Sequence, residues 1–229
     1  MATALVTAGF LLAPAAQAAS HPVQVAGNKL KSGLLPASAF GSDYQPGFWA
    51  DSGKSLWHGP ARDHVSTMSC GNFEGYLFIG AFGESGSALS FDNNPNPFPD
   101  YPNTEFYYVQ AVYQFPTVKA ANTYYNQAHA KYIKCTDFTQ SIPASSVPGS
   151  GKLETTTQSV AKTKVGQYQA FQVGQSSSPS DFPGISFLMN TMVTVEGTDV
   201  FTMISVGGTN DPVPTSLMLK LINRIKALH

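Results

Sequence analysis

The sequence predicts an α+β fold: a twisted antiparallel sheet, flanked by helices and held by one disulfide. Two observations predict the sheet and its helices. Apolar residues recur with a period of two across residues 153–207, as in half-buried strands. Around this region, residues 117–134 and 215–228 carry the helical period of three to four. Because the strands follow one another through short turns, we expect antiparallel pairing with the helices on one face of the sheet. The third observation, a single pair of cysteines, predicts the disulfide.

The N-terminal residues resemble an export signal. Residues 1–18 are apolar and end in Ala16-Gln17-Ala18, the small-x-small pattern of a cleavage site. We therefore predict a signal peptide over 1–18 and one domain over 19–229. No Lys or Arg precedes the apolar stretch, which indicates an atypical signal or a start further upstream. The alternative is a buried N-terminal strand or helix.

The first half of the domain is predicted to alternate short helices, strands and one long loop. Proline and asparagine are dense in the predicted loop, which excludes a regular element there. Aromatic and apolar residues dominate the predicted strands. The expected elements are a short helix within 30–40 stopped by Pro36, a helix over 61–69, a strand over 74–82, a loop over 91–103 and a strand over 105–115.

A helix over 117–134 is the best-defined element of the sequence. Thr117 follows Pro116 and is a typical N-cap residue. Apolar side chains then recur every three or four residues and should form one buried face. The predicted face consists of Val118, Ala121, Tyr125, Ala128, Tyr132 and Cys135.

The second half is predicted to consist of hairpins and a closing helix. A Pro/Ser/Gly-rich connector over 141–151 precedes them. Gly197 separates two strand-like runs and should make the turn of a hairpin. The expected elements are strands over 153–165, 166–175, 184–196 and 198–207, and a helix over 215–228 capped by Thr215 with an apolar stripe of Met218, Leu221, Ile222, Ile225 and Leu228.

The two cysteines, Cys70 and Cys135, can form one intramolecular bridge. A disulfide agrees with the predicted export, because oxidising compartments preserve such bonds. Two unpaired buried thiols, as in many cytosolic proteins, are the alternative.

Composition and motifs exclude several classes of function. Charged residues make up 12% of the chain and the net charge is −1, so nothing favours nucleic-acid binding or an anionic membrane. No segment after residue 18 is long and apolar enough for a transmembrane anchor. The five histidines lack the spacing of metal ligands, and neither G-x-S-x-G nor H-E-x-x-H occurs. We therefore expect no metal, no cofactor and, on balance, no catalysis.

Aromatic residues are the remaining candidates for a ligand site. Tyr107 and Tyr113 would share one face of a strand, and Trp49 and Trp57 lie in a Gly/Ser-rich region. Aromatic rings with a polar end suit a semi-apolar cleft. The alternative is that these rings simply pack in the core.

Two segments resemble a known family. They are Leu34-Leu35-Pro36-Ala37-Ser38-Ala39-Phe40 and Ala111-Val112-Tyr113-Gln114-Phe115-Pro116, the latter followed by a helix that ends in Cys135. Over about residues 30–228 the chain resembles the PknH-like extracellular domain of actinobacteria, found outside a mycobacterial Ser/Thr kinase and in stand-alone exported proteins.

The resemblance implies a twisted antiparallel sheet with flanking helices and a cleft, and no catalysis. It implies a secreted sensor-type domain of the cell envelope that binds an unknown small molecule, lipid or glycan. Two departures matter. This sequence has neither a kinase nor a transmembrane segment, and it has two cysteines where kinase-linked members have more. The alternatives are an uncharacterised secreted hydrolase, for which Asp63 and His64 are suggestive, and an extracellular protein-interaction module.

Overall fold

An eight-stranded antiparallel sheet dominates the fold. The computed structural model describes residues 27–51, 70, 85–94, 106–141, 152–179, 186–207 and 212–229. Within them, the strand order is β1-β2-β3-β8-β7-β6-β5-β4, and every neighbouring pair is antiparallel. The strands are β1 (Gln45–Asp51), β2 (Gly86–Asn94), β3 (Phe106–Gln114), β4 (Asp137–Ser141), β5 (Lys152–Val165), β6 (Tyr168–Pro179), β7 (Phe187–Glu196) and β8 (Asp199–Gly207).

Helices cover both faces of this sheet, so the expectation of helices on one face is wrong. Helix α2 (Val118–Lys134) packs on one face, whereas α1 (Gly27–Gly33) and α3 (Thr215–Lys226) pack on the other. The physical reason is visible along β3, where the consecutive residues Ala111, Val112 and Tyr113 are all buried. A strand that is apolar on both faces must be covered on both faces. We refer to these faces as the α2 face and the α3 face.

Helix α2 confirms the predicted cap and nearly all of the predicted face. The Thr117 side chain accepts a hydrogen bond from the Ala120 N–H at 3.1 Å. Along the helix, Tyr125 and Tyr132 contact the ring of Phe171 on β6, with centroids 5.2 and 5.8 Å away. Val118, the first residue of the helix, is the exception because it is 48% exposed. Helix α2 thus packs on the sheet through its predicted face, and its C-cap is Cys135.

The disulfide is present as predicted. Cys70 and Cys135 are joined, with their Cα atoms 5.5 Å apart. Cys135 itself is the C-cap of α2 and its N–H donates to the Lys131 carbonyl. The bond therefore holds Cys70 beside the end of α2.

On the α3 face, α1 and α3 contact each other as well as the sheet. Gly33 lies so close to Ile225 that a Cβ atom there would be 2.5 Å from its Cδ1. The Arg224 guanidinium donates to the carbonyls of Ser32 and Gly33, at 3.0 Å each. These bonds satisfy carbonyls that the end of α1 leaves open. The predicted stripe of α3 is buried at all positions except Leu228, which is half-buried. Thr215 is the first helical residue rather than the cap, which is Pro214.

The segment after α1 is held to the sheet by one glutamine. The Gln110 side chain on β3 accepts from the Leu35 N–H at 2.8 Å and donates to the Leu35 carbonyl at 2.7 Å. A side-chain amide thus pairs with a backbone peptide as a neighbouring strand would. The predicted helix within 30–40 is present but ends at Gly33, three residues before Pro36, which instead caps a short 3-10 turn over Ala37–Ala39.

Three strands were not predicted. β1 and β4 lie at the two ends of the described sheet, and β2 includes Phe91–Asn94, which we expected to begin the long loop. The predicted strands over 105–115, 153–165, 166–175, 184–196 and 198–207 are confirmed within a few residues, as is the turn at Gly197, where φ is +58°. The signal peptide, the helix over 61–69, the strand over 74–82 and most of the two predicted loops lie outside the described residues.

Candidate ligand site

Register places a row of side chains across the α2 face, beside the end of α2. Residues directly opposite each other in neighbouring strands share a face of the sheet. Cα pairing aligns Thr157 on β5, Gln175 on β6, Met189 on β7, Val206 on β8 and Tyr107 on β3. The row therefore runs from Thr157 on β5, near one end of the sheet, to the predicted ligand residue Tyr107 on β3.

Hydrogen bonds connect the β5 end of this row to the C-cap of α2. Thr157 Oγ1 donates to the Cys135 carbonyl at 2.6 Å, and Gln175 Nε2 donates to Thr157 Oγ1 at 3.2 Å. On the same face, the hydroxyls of Thr155 and Ser177 lie 2.8 Å apart. The α2 face is thus polar at this end, whereas beneath α2 it is apolar.

This chain of bonds determines which way the Gln175 amide points. Thr157 has one hydroxyl proton, and the Cys135 carbonyl can only accept, so that proton is used there. Thr157 Oγ1 must therefore accept from Gln175, which directs the amide nitrogen toward Thr157 and the amide oxygen away from it. Gln175 is 0% exposed, and its Oε1 has no hydrogen-bond partner among the described residues.

Thr191 presents a second unpartnered polar atom on the same face. It lies on β7, two residues from Met189, which is opposite Gln175. Such diagonal neighbours have Cα atoms roughly 7–8 Å apart. Thr191 is 1% exposed, and its Oγ1 also lacks a hydrogen-bond partner in the part of the chain that the structure describes. We call Thr157, Gln175 and Thr191 the buried polar cluster.

Unpartnered buried polar atoms are costly, because such a group loses its hydrogen bonds to water without replacement. In native structures they are few and require an explanation. Two of them on neighbouring strands, on one face of the sheet, indicate a place where an additional polar group can be bound. The three side chains of the cluster are neutral.

The structure separates the sequence-predicted aromatic residues. Tyr107 and Tyr113 do share the α2 face, but they lie toward opposite ends of β3. Tyr107 is half-buried at the end of the row, whereas Tyr113 is buried in the core with its ring 5.7 Å from that of Tyr124. Trp49 belongs to β1, and Trp57 lies outside the described residues. Of the four, Tyr107 alone has a described position in the row.

Gln175 and Thr191 were missed by sequence reasoning. Gln175 is followed by three serines, a composition that suggests a solvent-exposed surface, and Thr191 follows Asn190 within an otherwise apolar run, where it gives no signal of its own. A signal was nevertheless present for Gln175: it continues the alternation of Phe171 and Val173, two apolar residues of one strand face. That Gln175 and Thr191 lie near each other on one face of the sheet could be recognised only from the register of β6 and β7.

Two buried carboxylates lie on the α3 face and form separate clusters. Asp92 accepts from Ser90 Oγ at 2.9 Å and from Gln110 Nε2 at 3.3 Å. Burial raises the pKa of Asp92, although both hydrogen bonds oppose the shift. Near the chain end, Asp199 Oδ2 lies 2.9 Å from His229 Nε2. Burial also raises the pKa of Asp199, and the neighbouring His229 acts against it.

The other histidine with a described position is a boundary residue. His129 on α2 packs on Phe171 with ring centroids 5.1 Å apart. Burial, and secondly the charge of Lys162, lower the pKa of His129. Among the described residues, no group of three or more His, Cys, Asp or Glu side chains could hold a metal ion. Across the same residues, no helix has the length and hydropathy needed to cross a membrane.

Comparison with known proteins identifies the fold. No family model matches the sequence, and a search of curated proteins found no similar sequence. Among solved structures, the extracellular domain of PknH from Mycobacterium tuberculosis matches with a TM-score of 0.58 and 16% identity, over 89% of this chain and 97% of that chain.

A putative uncharacterized protein from Mycobacterium smegmatis, the Rv0999 ortholog, matches with a TM-score of 0.37 and 7% identity, over 87% of this chain and 96% of that chain. The conclusion on fold depends on the PknH match alone. The chain therefore has the fold of the PknH extracellular domain, as its two sequence segments predicted.

Proposed function

We propose that this chain is a non-catalytic, extracellular sensor-type domain that binds a small molecule, lipid or glycan of the cell envelope. The observation that carries the proposal is the pair of buried, unpartnered atoms Gln175 Oε1 and Thr191 Oγ1. A ligand group there would supply the hydrogen bonds that the described residues do not. The predicted ligand residue Tyr107 lies on the same cross-strand row.

Secretion is part of the same proposal. Residues 1–18 have the pattern of a signal peptide. The disulfide supports an oxidising compartment, and the matched fold is that of an extracellular domain. Expression of the full chain in an actinobacterial host tests this step. We expect mass spectrometry of the culture medium and envelope to find a chain that begins at Ala19, and a cytoplasmic chain that begins at Met1 would contradict export.

A thermal-shift screen tests ligand binding. A ligand that binds the folded chain and not the unfolded chain raises Tm, by an amount equivalent to about 2.7 kcal/mol at one hundred times Kd. The disulfide-bonded protein would be melted with fractions of cell-envelope lipids, glycans and small metabolites. We expect at least one fraction to raise Tm in proportion to its concentration, whereas a flat response to all of them contradicts a binding function.

A secreted hydrolase is the second candidate, on one observation. The contact between Asp199 and His229 is the carboxylate–histidine pair that positions a general base in many hydrolases. The alternative is that this pair is purely structural, because Gln114 donates to the other Asp199 oxygen at 3.3 Å and so ties Asp199 to β3. Ester and glycoside hydrolysis assays on the wild type and on His229→Ala decide between them. Activity that is lost in His229→Ala favours the hydrolase, and inactivity of both proteins favours the structural role.

A further inference from the structure

We infer that the buried polar cluster recognises a hydroxyl group of a neutral ligand, as found in a polyol or sugar. This inference rests on the proposed binding function and names the chemical class of the ligand. It follows from which atoms of the cluster are unpartnered, from what each can donate or accept, and from the charge of the side chains around them.

The first requirement is a hydrogen-bond donor. The orientation of the Gln175 amide, determined by Thr157 and Cys135, leaves an oxygen that can only accept. A ligand carbonyl, ether or carboxylate has no proton to offer this oxygen. The bound group must therefore carry an O–H or N–H.

The second requirement is an acceptor on the same small group. Thr191 Oγ1 carries one proton and needs an acceptor for it. Two hydrogen bonds of about 2.7–2.8 Å that meet at one hydroxyl oxygen span about 4.5 Å at a tetrahedral angle, a separation that side chains of diagonal neighbours on a sheet can reach by leaning toward each other. A hydroxyl can accept from Thr191 while it donates to Gln175. An amide or ammonium nitrogen has no lone pair for this, so a nitrogen group would satisfy only one of the two atoms.

The third requirement is neutrality. The three side chains of the cluster are uncharged, and so are the neighbouring Thr155 and Ser177 on the same face. Gln175 and Thr191 are both almost completely buried. An ion bound among these described residues would lose its hydration without a counter-charge, which costs far more than burying a hydroxyl.

The test measures binding of defined probes by calorimetry and saturation-transfer NMR. The neutral probes are myo-inositol, methyl α-glucoside and methyl α-mannoside, and the charged ones are glucuronate and glucosamine. We expect at least one neutral probe to bind the wild type, with weaker or no binding of the charged ones. Tighter binding of a charged probe overturns the inference.

A matched pair of variants localises the effect. Thr191→Val removes the unpartnered hydroxyl, whereas Thr194→Val removes a buried hydroxyl of the same strand that donates to the Gln169 carbonyl at 2.8 Å. We expect Thr191→Val to weaken binding of the neutral probe tenfold or more and Thr194→Val to change it less than twofold. Equal losses in the two variants, once both are shown to be folded by their melting curves, overturn the assignment of the site.

The result also separates this inference from the proposed function. If an envelope fraction raises Tm but no neutral probe binds, the binding function stands and the hydroxyl assignment is wrong. If neither fractions nor probes bind, both fail. A bound water that satisfies both atoms would give no probe binding and a Thr191→Val variant as destabilised as Thr194→Val, which also overturns the inference.

Discussion

At the scale of single residues, two threonines on β7 illustrate how much the partner of a hydroxyl matters. Thr191 and Thr194 are both buried, on opposite faces of the same strand. Thr194 donates to a backbone carbonyl, whereas Thr191 Oγ1 has no partner within the described ranges. A buried hydroxyl without a partner loses its hydrogen bonds to water and gains none from the protein. The two residues should therefore differ in their contribution to the free energy of unfolding.

Substitution by valine, which keeps the shape of threonine, measures this difference. Without ligand, we expect Thr191→Val to leave the free energy of unfolding unchanged or to raise it by about 1 kcal/mol. We expect Thr194→Val to lower it by about 1–3 kcal/mol, because the Gln169 carbonyl loses its donor. Urea unfolding of the three proteins gives both values. Destabilisation by Thr191→Val as large as that by Thr194→Val would show that the Thr191 hydroxyl is already satisfied.

A buried aspartate makes stability depend on pH. Burial raises the pKa of Asp92 in the folded protein above its unfolded value of about 3.9. Its contribution to stability is therefore fully present below pH 4 and is lost as pH rises through the folded pKa. We expect the unfolding free energy of the wild type, relative to Asp92→Asn, to fall as pH rises from about 3 to 7.

Asparagine retains an oxygen that can accept from Ser90 and Gln110, so this variant isolates the charge. Urea titrations at several pH values give the difference curve, and a flat curve would mean that the carboxyl is not perturbed by burial. Asp43→Asn, at an exposed aspartate, serves as a control for general effects of pH.

At the scale of elements, the sequence predicts those whose signal is local. Helix α2 and the β7–β8 hairpin combine a strong period with a cap or a turn residue, and both were located within a few residues. The strands β1, β2 and β4 carry Pro, Asn and polar residues, and they are strands because a neighbouring strand supplies their hydrogen bonds. A short stretch of sequence does not reveal which strand will lie beside it. For the same reason the buried polar cluster, which three strands bring together, escaped prediction.

The α1 segment is an element whose position depends on one side chain. Gln110 forms two hydrogen bonds to the Leu35 peptide and a third to Asp92. Gln110→Leu would leave the buried Leu35 N–H and C=O without partners, at about 1–3 kcal/mol each. We expect the free energy of unfolding to fall by about 3 kcal/mol and the Leu35 amide to exchange its hydrogen much faster.

A second glutamine provides the control for this prediction. Among the described residues, the Gln172 side chain on β6 makes one hydrogen bond, to the Val213 carbonyl at 3.2 Å. Gln172→Leu should therefore cost about 1 kcal/mol. Equal effects of the two substitutions, measured by urea unfolding, would show that the Leu35 peptide is not held by Gln110.

At the scale of the whole molecule, one covalent bond joins distant parts of the chain. The Cys70–Cys135 bridge spans a sequence separation of 65, and loop-closure entropy assigns such a bridge up to about 4 kcal/mol. We expect Cys70→Ala and Cys135→Ala to lower the free energy of unfolding by similar amounts, and the double variant by no more than either alone. Guanidinium unfolding with and without a thiol reductant checks this. A reductant that leaves the wild type unchanged would mean that the bond adds no stability.

Strand order also determines when this molecule can acquire its shape during synthesis. The central strand β3 pairs on one side with β8, so that Tyr107 lies opposite Val206. A nascent chain cannot complete the middle of its sheet until residue 206 has left the ribosome. Contacts between such distant residues slow folding, because closing the long loop costs conformational entropy before the strand pairing contributes any stabilisation. A newly made chain therefore lacks the β3–β8 pairing, and with it the complete sheet, for most of its synthesis. An incompletely folded polypeptide is the form that can be threaded through a translocation pore.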